Sequence, residues 1–525
     1  PSRGLGDVYK RQAKIGPGDD GYEGAIVLNP NPGIYLKEPV AVLDYASLYP
    51  SSMISENLSH DTICLDEEWL GEKGGENLKK LGCDYEDITY DLFSWINPKI
   101  KNKGKHKVGE KTCRFVQFPN EEKGVIPRIL QHLLKARKDT RKKIKTEKDA
   151  FKRSVLDGLQ LAYKITANSL YGQIGAKTSP IFLKDIAAST TATGRRLLHL
   201  AKDKIQIHMP ETEIVYGDTD SIFVNFKPKD ENGVRLYGKS ALKRTIELGE
   251  QFENEFCQYL KKPHHLEYEK TFWPFILLSK KRYVGNKYEF DLDKFKRTSM
   301  GIVLKRRDNA EIVKHVYGGI IDIFMDVKNK DPINQSVEFL NNTLNDLIDG
   351  KFGLEMLTIT KSLRGYYKNP QTVAHKVLAD RMGERDPGNK PSSNDRIPYA
   401  YIQVKEKKGS KILQGDRIEY PDYIKEKNLK PDYNFYISNQ IKNPVAQIYG
   451  LIVEQLIGYN KPSNYYINKY RNFKKIYGDD KANNKITDLK INEASEILFS
   501  DVLRKANNKK NNIKEITHFF KIVNS

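Results

Sequence analysis

The chain has 525 residues, and Lys plus Arg outnumber Asp plus Glu by 88 to 68, a formal net charge of +20. That length allows several subdomains, and the basic balance favours a polyanionic partner without separating DNA from RNA or an anionic membrane. There is no apolar run of about eighteen residues to span a membrane, and the scattered Cys64, Cys83, Cys113 and Cys257 form no C-x-x-C pair. A zinc ribbon and a disulfide framework are therefore disfavoured, and a reducing, intracellular setting is the default.

In chain order, Pro1 is not an initiator methionine, and residues 1–12 (PSRGLGDVYKRQ) have neither a long apolar core nor a small-residue cleavage site. They read as a cloning or assembly scar on an incomplete chain, not as a signal peptide. Tyr22-Glu23-Gly24-Ala25 and Gly33-Ile34-Tyr35 supply turns and a short strand before the apolar strand Val40-Ala41-Val42-Leu43, which delivers Asp44. Tyr45-Ala46-Ser47-Leu48-Tyr49-Pro50-Ser51 follows directly. Residues 64–124 read as irregular, with Gly74-Gly75 and a lysine-rich patch at 99–111 that looks like an exposed insertion.

Residues 126–148 have helical periodicity, with an apolar face at Ile129, Leu130, Leu133 and Leu134 and a basic cluster around Arg137 and Arg141. A second helix is predicted over 154–171. It carries Lys164-Ile165-Thr166-Ala167-Asn168-Ser169-Leu170-Tyr171-Gly172, where Lys164, Asn168 and Tyr171 share one face. The run Tyr216-Gly217-Asp218-Thr219-Asp220-Ser221 lies between two β-rich stretches and reads as a tight hairpin turn. An amphipathic helix over 241–260 is followed by Leu266-Glu267-Tyr268-Glu269-Lys270, the strand-like Phe275-Ile276-Leu277-Leu278 and the basic Lys280-Lys281-Arg282-Tyr283. Beyond 305 the chain reads as mostly helical, at 312–325, 335–348, 371–381 and 444–458. A polar loop is predicted at 383–393, and the Lys/Asn-rich tail after 460 reads as partly mobile. No internal repeat is evident.

Two carboxylates one residue apart on a turn repel each other, and a cation between them relieves that strain. If Asp44 meets that turn in the same sheet, the carboxylates have the geometry to hold two Mg²⁺ ions for in-line displacement at phosphorus. Each piece alone has a plainer reading. An Asp-x-Asp turn is commonly a solvated hairpin, Asp44 a turn former, the basic helix a solvated face, Tyr49 a buried aromatic and Lys280–Tyr283 an edge-strand guard. The third block, around Lys164, lies between the two acidic blocks in chain order and changes that balance.

Together the three blocks resemble motifs A, B and C of the family B DNA polymerases, and the likeness extends over residues 21–458. The resemblance implies an α+β right-hand fold: an antiparallel-sheet palm (13–123 with an insertion, and 177–304), two-helix fingers (124–176), and a mostly helical thumb with a tail (305–525). It implies Asp44 and Asp220 as metal-bridging acids, Asp218 as a less direct partner and the Tyr45 carbonyl as a further metal ligand, with two Mg²⁺ as cofactors. Ser47, Leu48, Arg137, Arg141, Lys164, Asn168 and Tyr171 would bind the incoming nucleotide. Tyr49 would sit under its sugar and exclude a 2′-hydroxyl. Gly172 would leave room at the nascent pair, and Lys280, Lys281, Arg282 and Tyr283 would meet the primer–template duplex. Arg141 stands where the pattern usually has Lys, which keeps the charge but changes its geometry.

The implied partners are primer–template DNA and dNTPs, with a sliding clamp as a further candidate and no membrane. The setting would be the nucleus or a viral replication site. The details between motifs resemble delta-type enzymes and those of large nucleocytoplasmic DNA viruses, and the resemblance implies a proofreading exonuclease upstream, which this chain is expected to lack through truncation. Two other readings stay open: an inactive relative acting as a DNA-binding scaffold, and an unrelated palm-type enzyme such as a nucleotidyl cyclase. The intact acids argue against the first, and the Lys164 helix and Lys280–Tyr283 against the second.

Overall fold

The computed structural model describes residues 21–96, 105–404, 412–511 and 513. Residues 1–20, which include the stretch 1–12, the first part of the lysine-rich patch 99–111, residues 405–411 and the last residues of the tail lie outside them. The chain divides into two compact units. The first comprises residues up to Asn31, Glu38–Phe272 and Tyr288–Lys294, and the second Pro32–Lys37, Trp273–Lys287 and everything from Phe295 on.

An antiparallel sheet organises the first unit around the strand Val40–Tyr45. Its apolar residues are buried throughout, as expected of a central strand covered on both faces. On one side it pairs with Ser221–Asn225, placing Asp44 opposite Ser221. On the other it pairs with the first half of Leu266–Ser279, placing Asp44 opposite Glu267. Glu213–Asp218 pairs with Ser221–Asn225 and completes the predicted hairpin. Two helices pack on this sheet. Lys184–His208 accepts a 2.8 Å hydrogen bond from the Tyr45 hydroxyl at the Leu197 carbonyl. Gly238–Phe256 brings Phe256 edge-on to Tyr45, and its Gly249 leaves room for the Tyr268 ring, which an added Cβ would meet at 2.5 Å.

The segment 64–124 is not irregular. It contains the helix Gly71–Lys80 and a long hairpin of Asp84–Trp95 with Lys105–Gln117. The reason is an alternation that the lysines obscure: Ile88, Tyr90, Cys113 and Phe115 are buried while Asp87, Thr89, Lys111 and Thr112 are exposed. The hairpin is also tied down by polar contacts. Arg114 makes a paired contact with Asp87 at 2.6 and 2.8 Å, and Tyr90 and Lys111 both bond to Asp185. Next come the helices Val125–Thr146 and Ala150–Gly175, a helical hairpin whose second member is capped by the Asp149 carboxylate on two backbone N–H groups.

The second unit is mainly helical. Glu311–Met325, Pro332–Ile348 and Ala374–Arg385 match the predicted helices within a few residues. The expected helix at 444–458 is instead a broken run, with Lys442–Tyr449 as its regular portion. A small sheet, Ile359–Ser362 with Arg396–Tyr401 and Ile418–Glu419, was not foreseen. The described part of the tail is helical. Tyr465–Tyr477 and Asp479–Lys510 are helices, and Ala494, Leu498, Val502 and Ala506 recur every fourth residue on a buried face of the core. The high Lys and Asn content hid that spacing.

Candidate active site

Pairing of Asp218 with Ser221 leaves Thr219-Asp220 as the two residues of the turn, with Thr219 in the left-handed region at φ 62°. The turn is fixed locally. The Asp218 carboxylate accepts from the Tyr216 hydroxyl at 3.1 Å and the Thr219 hydroxyl at 3.0 Å, and the Thr219 N–H donates to the Ile26 carbonyl. The Tyr45 N–H donates to the Asp220 carbonyl at 2.8 Å, which clips the turn to the strand residue next to Asp44. Asp44 and the turn bearing Asp220 thus meet in one sheet, which is the condition the sequence reading set for a shared metal site.

Their electrostatics show what the pair lacks. Burial pushes the Asp44 carboxyl up from 3.8 to about 8, helped by the negative charge of Asp220, Glu269 and Glu267 and opposed by Lys270. Burial likewise raises Asp220, with Asp218 and Glu269 adding to the effect and Lys164 opposing it. A half-buried cluster of carboxylate oxygens fits a hard divalent cation, which would supply the missing positive charge. Among the described residues no three His, Cys, Asp or Glu side chains close around a point tightly enough to hold a metal alone. The acidic edge is open, and other oxygen ligands would have to complete a coordination shell there.

Beyond Asp44 the chain turns through Ser47, at φ 51°, into the helix Leu48–Ser55. Leu48 is buried in the core, while the Tyr49 ring lies 4.5 Å from that of Tyr171, tilted by 47°. The Tyr171 hydroxyl is 3.3 Å from that of Tyr22. Gly194 makes room for Tyr49, since an added Cβ would lie 3.1 Å from its ring. Burial, with the nearby Asp220 charge, pushes the Tyr49 phenol up to about 12. Arg195 opposes that rise and holds the Glu23 and Gly24 carbonyls at 2.7 and 2.8 Å. Lys164, Asn168 and Tyr171 lie on the helix Ala150–Gly175, and a Cβ at Gly172 would meet nothing within 4 Å. Arg137 and Arg141 lie on the preceding helix. Burial, followed by the charge of Arg141, lowers the Arg137 pKa.

Lys280, Lys281, Arg282 and Tyr283 belong to the second unit, where Lys280 and Lys281 turn the chain from Leu266–Ser279 into Arg282–Tyr288. Arg282 donates to the Gln447 side chain at 2.8 Å, and Tyr283 packs 5.7 Å from Phe275. Gly194 and Arg195 were not singled out in the sequence, and Tyr22, Glu267 and Glu269 were named within their segments without a place at the acidic site. The sequence reading also passed over the whole helix Lys184–His208, whose signal was a run of small residues, Ala187-Ala188-Ser189-Thr190-Thr191-Ala192-Thr193-Gly194.

Residues 7–452 match the family model for DNA polymerase family B. The chain is 49% identical to the DNA polymerase of Pyramimonas orientalis virus over 96% of its length, covering 44% of that protein. It is 34% identical to the DNA polymerase delta catalytic subunit of Oryza sativa subsp. japonica over 83% of its length and 36% of the relative's. Among solved structures, the family B DNA polymerase of the archaeon Pyrobaculum calidifontis matches with a TM-score of 0.54 at 24% identity, over 84% of this chain and 48% of that one. The last likeness speaks for the fold. The chain spans less than half the length of each of these proteins. From the family match and these identities, the chain belongs to DNA polymerase family B.

Proposed function

We propose that this chain carries the synthetic part of a DNA-directed DNA polymerase, adding dNMPs to a primer 3′-hydroxyl as a template strand directs. The observation that carries this reading is the meeting of Asp44 and Asp220 at one end of paired strands, with Lys164 within electrostatic reach and the tilted Tyr49–Tyr171 ring pair on the neighbouring helices. In this reading residues 13–123 and 177–304 are the palm, 124–176 the fingers, and 305–525 the thumb and tail.

Asp44 and Asp220 would hold two Mg²⁺ ions, with the Tyr45 carbonyl completing the nucleotide-side shell and Asp218 orienting the turn. When bound, those ions acidify the primer hydroxyl and neutralise the triphosphate. The remaining work falls to the chain's own groups. Lys164, Arg137 and Arg141 offset the phosphate charge, and the backbone amides at Ser47 and Leu48 bind phosphate oxygens. Asn168 and Tyr171 face the nucleotide, with open space at Gly172 for the nascent pair. The Tyr49 ring, wedged between Tyr171 and Gly194, fills the volume that a ribose 2′-hydroxyl would need. Lys280, Lys281, Arg282 and Tyr283 would meet the duplex backbone and minor groove. A sliding clamp is a further partner on this reading.

The test is extension of a recessed primer with dNTPs and Mg²⁺, with Asp220→Ala run alongside. Extension by the parent and a roughly thousandfold loss in the variant, with duplex affinity kept, is the expected result. Undiminished synthesis by the variant would remove Asp220 from the metal site. Duplex binding without synthesis by either protein would leave a binding module.

A further inference from the structure

The second unit contains an open cavity of about 450 Å³ beside the paired strands Ile359–Ser362 and Arg396–Tyr401. Arg307, Lys361, Arg364 and Arg396 line it, together with Tyr367 and His375. None of these four cations has a carboxylate partner within ion-pair distance among the described residues. The acid at the cavity wall, Asp308, is taken by Arg306 at 2.9 and 3.1 Å. Arg396 is held in place by the Thr360 carbonyl and hydroxyl at 3.2 and 3.1 Å. Four like charges gathered around one acid, Asp308, repel one another, and an anion relieves that repulsion.

The loop bearing Arg364 is rigidly built. Leu363 exchanges backbone hydrogen bonds with Asp395 and Asn394 at 2.8 and 2.9 Å. The Arg364 N–H donates to the Tyr367 hydroxyl at 2.8 Å, and that hydroxyl lies 3.1 Å from His375 Nε2. The Tyr367 hydroxyl and His375 share this hydrogen bond, whose direction follows the imidazole tautomer. Burial first, and then Lys361 and Arg364, favour the neutral ring. This frame presents Tyr366 to solvent at 81% exposure, between Arg364 and Lys368, with no ring contact among the described residues.

A duplex offers phosphates to such a site but keeps its base faces stacked inside. An unpaired strand offers both a phosphate and a base face, which is what a cationic groove beside an aromatic platform binds. We propose that this cavity is a foothold for an unpaired nucleic-acid strand, with Arg307, Lys361, Arg364 and Arg396 taking a backbone phosphate and Tyr366 stacking on the adjoining base. The site lies outside the catalytic constellation, and the polymerase reading supplies the class of its partner. His375 and Tyr367 are positioning residues that hold the loop.

The experiment is fluorescence anisotropy of the full chain with a labelled oligothymidylate and with a blunt duplex of equal length, each over a range of salt. Tyr366→Ala should weaken the single strand about tenfold and leave the duplex unchanged, while Tyr366→Phe restores binding. The double change Lys361→Ala with Arg364→Ala should lower the single-strand salt slope by about 1.4, roughly 0.7 for each charge removed. Exposure of all three side chains keeps folding out of the readout, and circular dichroism of each variant checks it. Unchanged single-strand affinity in the alanine variants overturns the foothold alone, provided the parent binds both probes. Equal losses on strand and duplex overturn the unpaired-strand assignment in favour of a duplex contact. A parent that binds neither probe overturns this inference and the polymerase reading together.

Discussion

At Asp44 a carboxyl sits buried among like charges, and the consequence has a definite sign. Without metal, the folded chain holds a proton there up to about pH 8, whereas the unfolded chain releases it near 3.8. Proton binding therefore stabilises the fold below the unfolded value, and that contribution is lost as pH rises through 8, on the order of a few kcal/mol in all. Asp44→Asn should raise the melting temperature of the metal-free protein at pH 9 and leave it nearly unchanged at pH 4. Equal melting at pH 9 would mean that the carboxyl carries no such load. Because a metal must displace that proton, Mg²⁺ affinity should rise with pH up to about 8 and then level off. Titration calorimetry in buffers of different ionisation enthalpy reads the released proton directly. Tyr49→Val should admit ribonucleotides, measured as the ratio of rNTP to dNTP incorporation efficiency, and unchanged sugar selection would take Tyr49 out of the gate. Asp44, Asp220, Lys164, Tyr49 and Tyr171 could be singled out because each sits in a short run that resembles a family motif, and the roles proposed for them rest on that resemblance. Tyr22, Gly194, Arg195, Glu267 and Glu269 reach the site through packing between segments far apart in the chain, which no local pattern reports.

Among the elements, the sheet and the helical hairpin were readable because their apolar residues follow clean periods of strand or helix. The hairpin Asp84–Trp95 with Lys105–Gln117 was not, since its lysines masked the inward alternation of Ile88, Tyr90, Cys113 and Phe115. The same holds for Asp479–Lys510, where Ala494, Leu498, Val502 and Ala506 carry the helix into the core of the second unit beneath a surface of Lys and Asn. Phe499, fully buried on that helix, makes the point measurable. Phe499→Ala should cost about 3–5 kcal/mol and shift the urea midpoint of the second unit downward. A variant as stable as the parent would mean that the tail helix is not part of that core.

For the whole molecule, a net charge of +20 makes association with DNA, on the proposed function, a matter of counter-ion release. Duplex affinity should fall linearly with salt on logarithmic axes, and a flat profile would argue against phosphate contacts as its source. The two units divide the work on this account: the first holds the acids and the nucleotide face, and the second holds the Lys280–Tyr283 element and the cationic cavity. The central claim is that synthesis is directed by a template at Asp44 and Asp220. The most direct measurement offers a recessed primer one dNTP at a time, with Mg²⁺, on templates that differ in their first unpaired base. The account predicts that the complementary nucleotide alone is added efficiently on each template, and that Asp220→Ala adds none while still binding the duplex. Addition that ignores the template base, or that persists undiminished in Asp220→Ala, would contradict it.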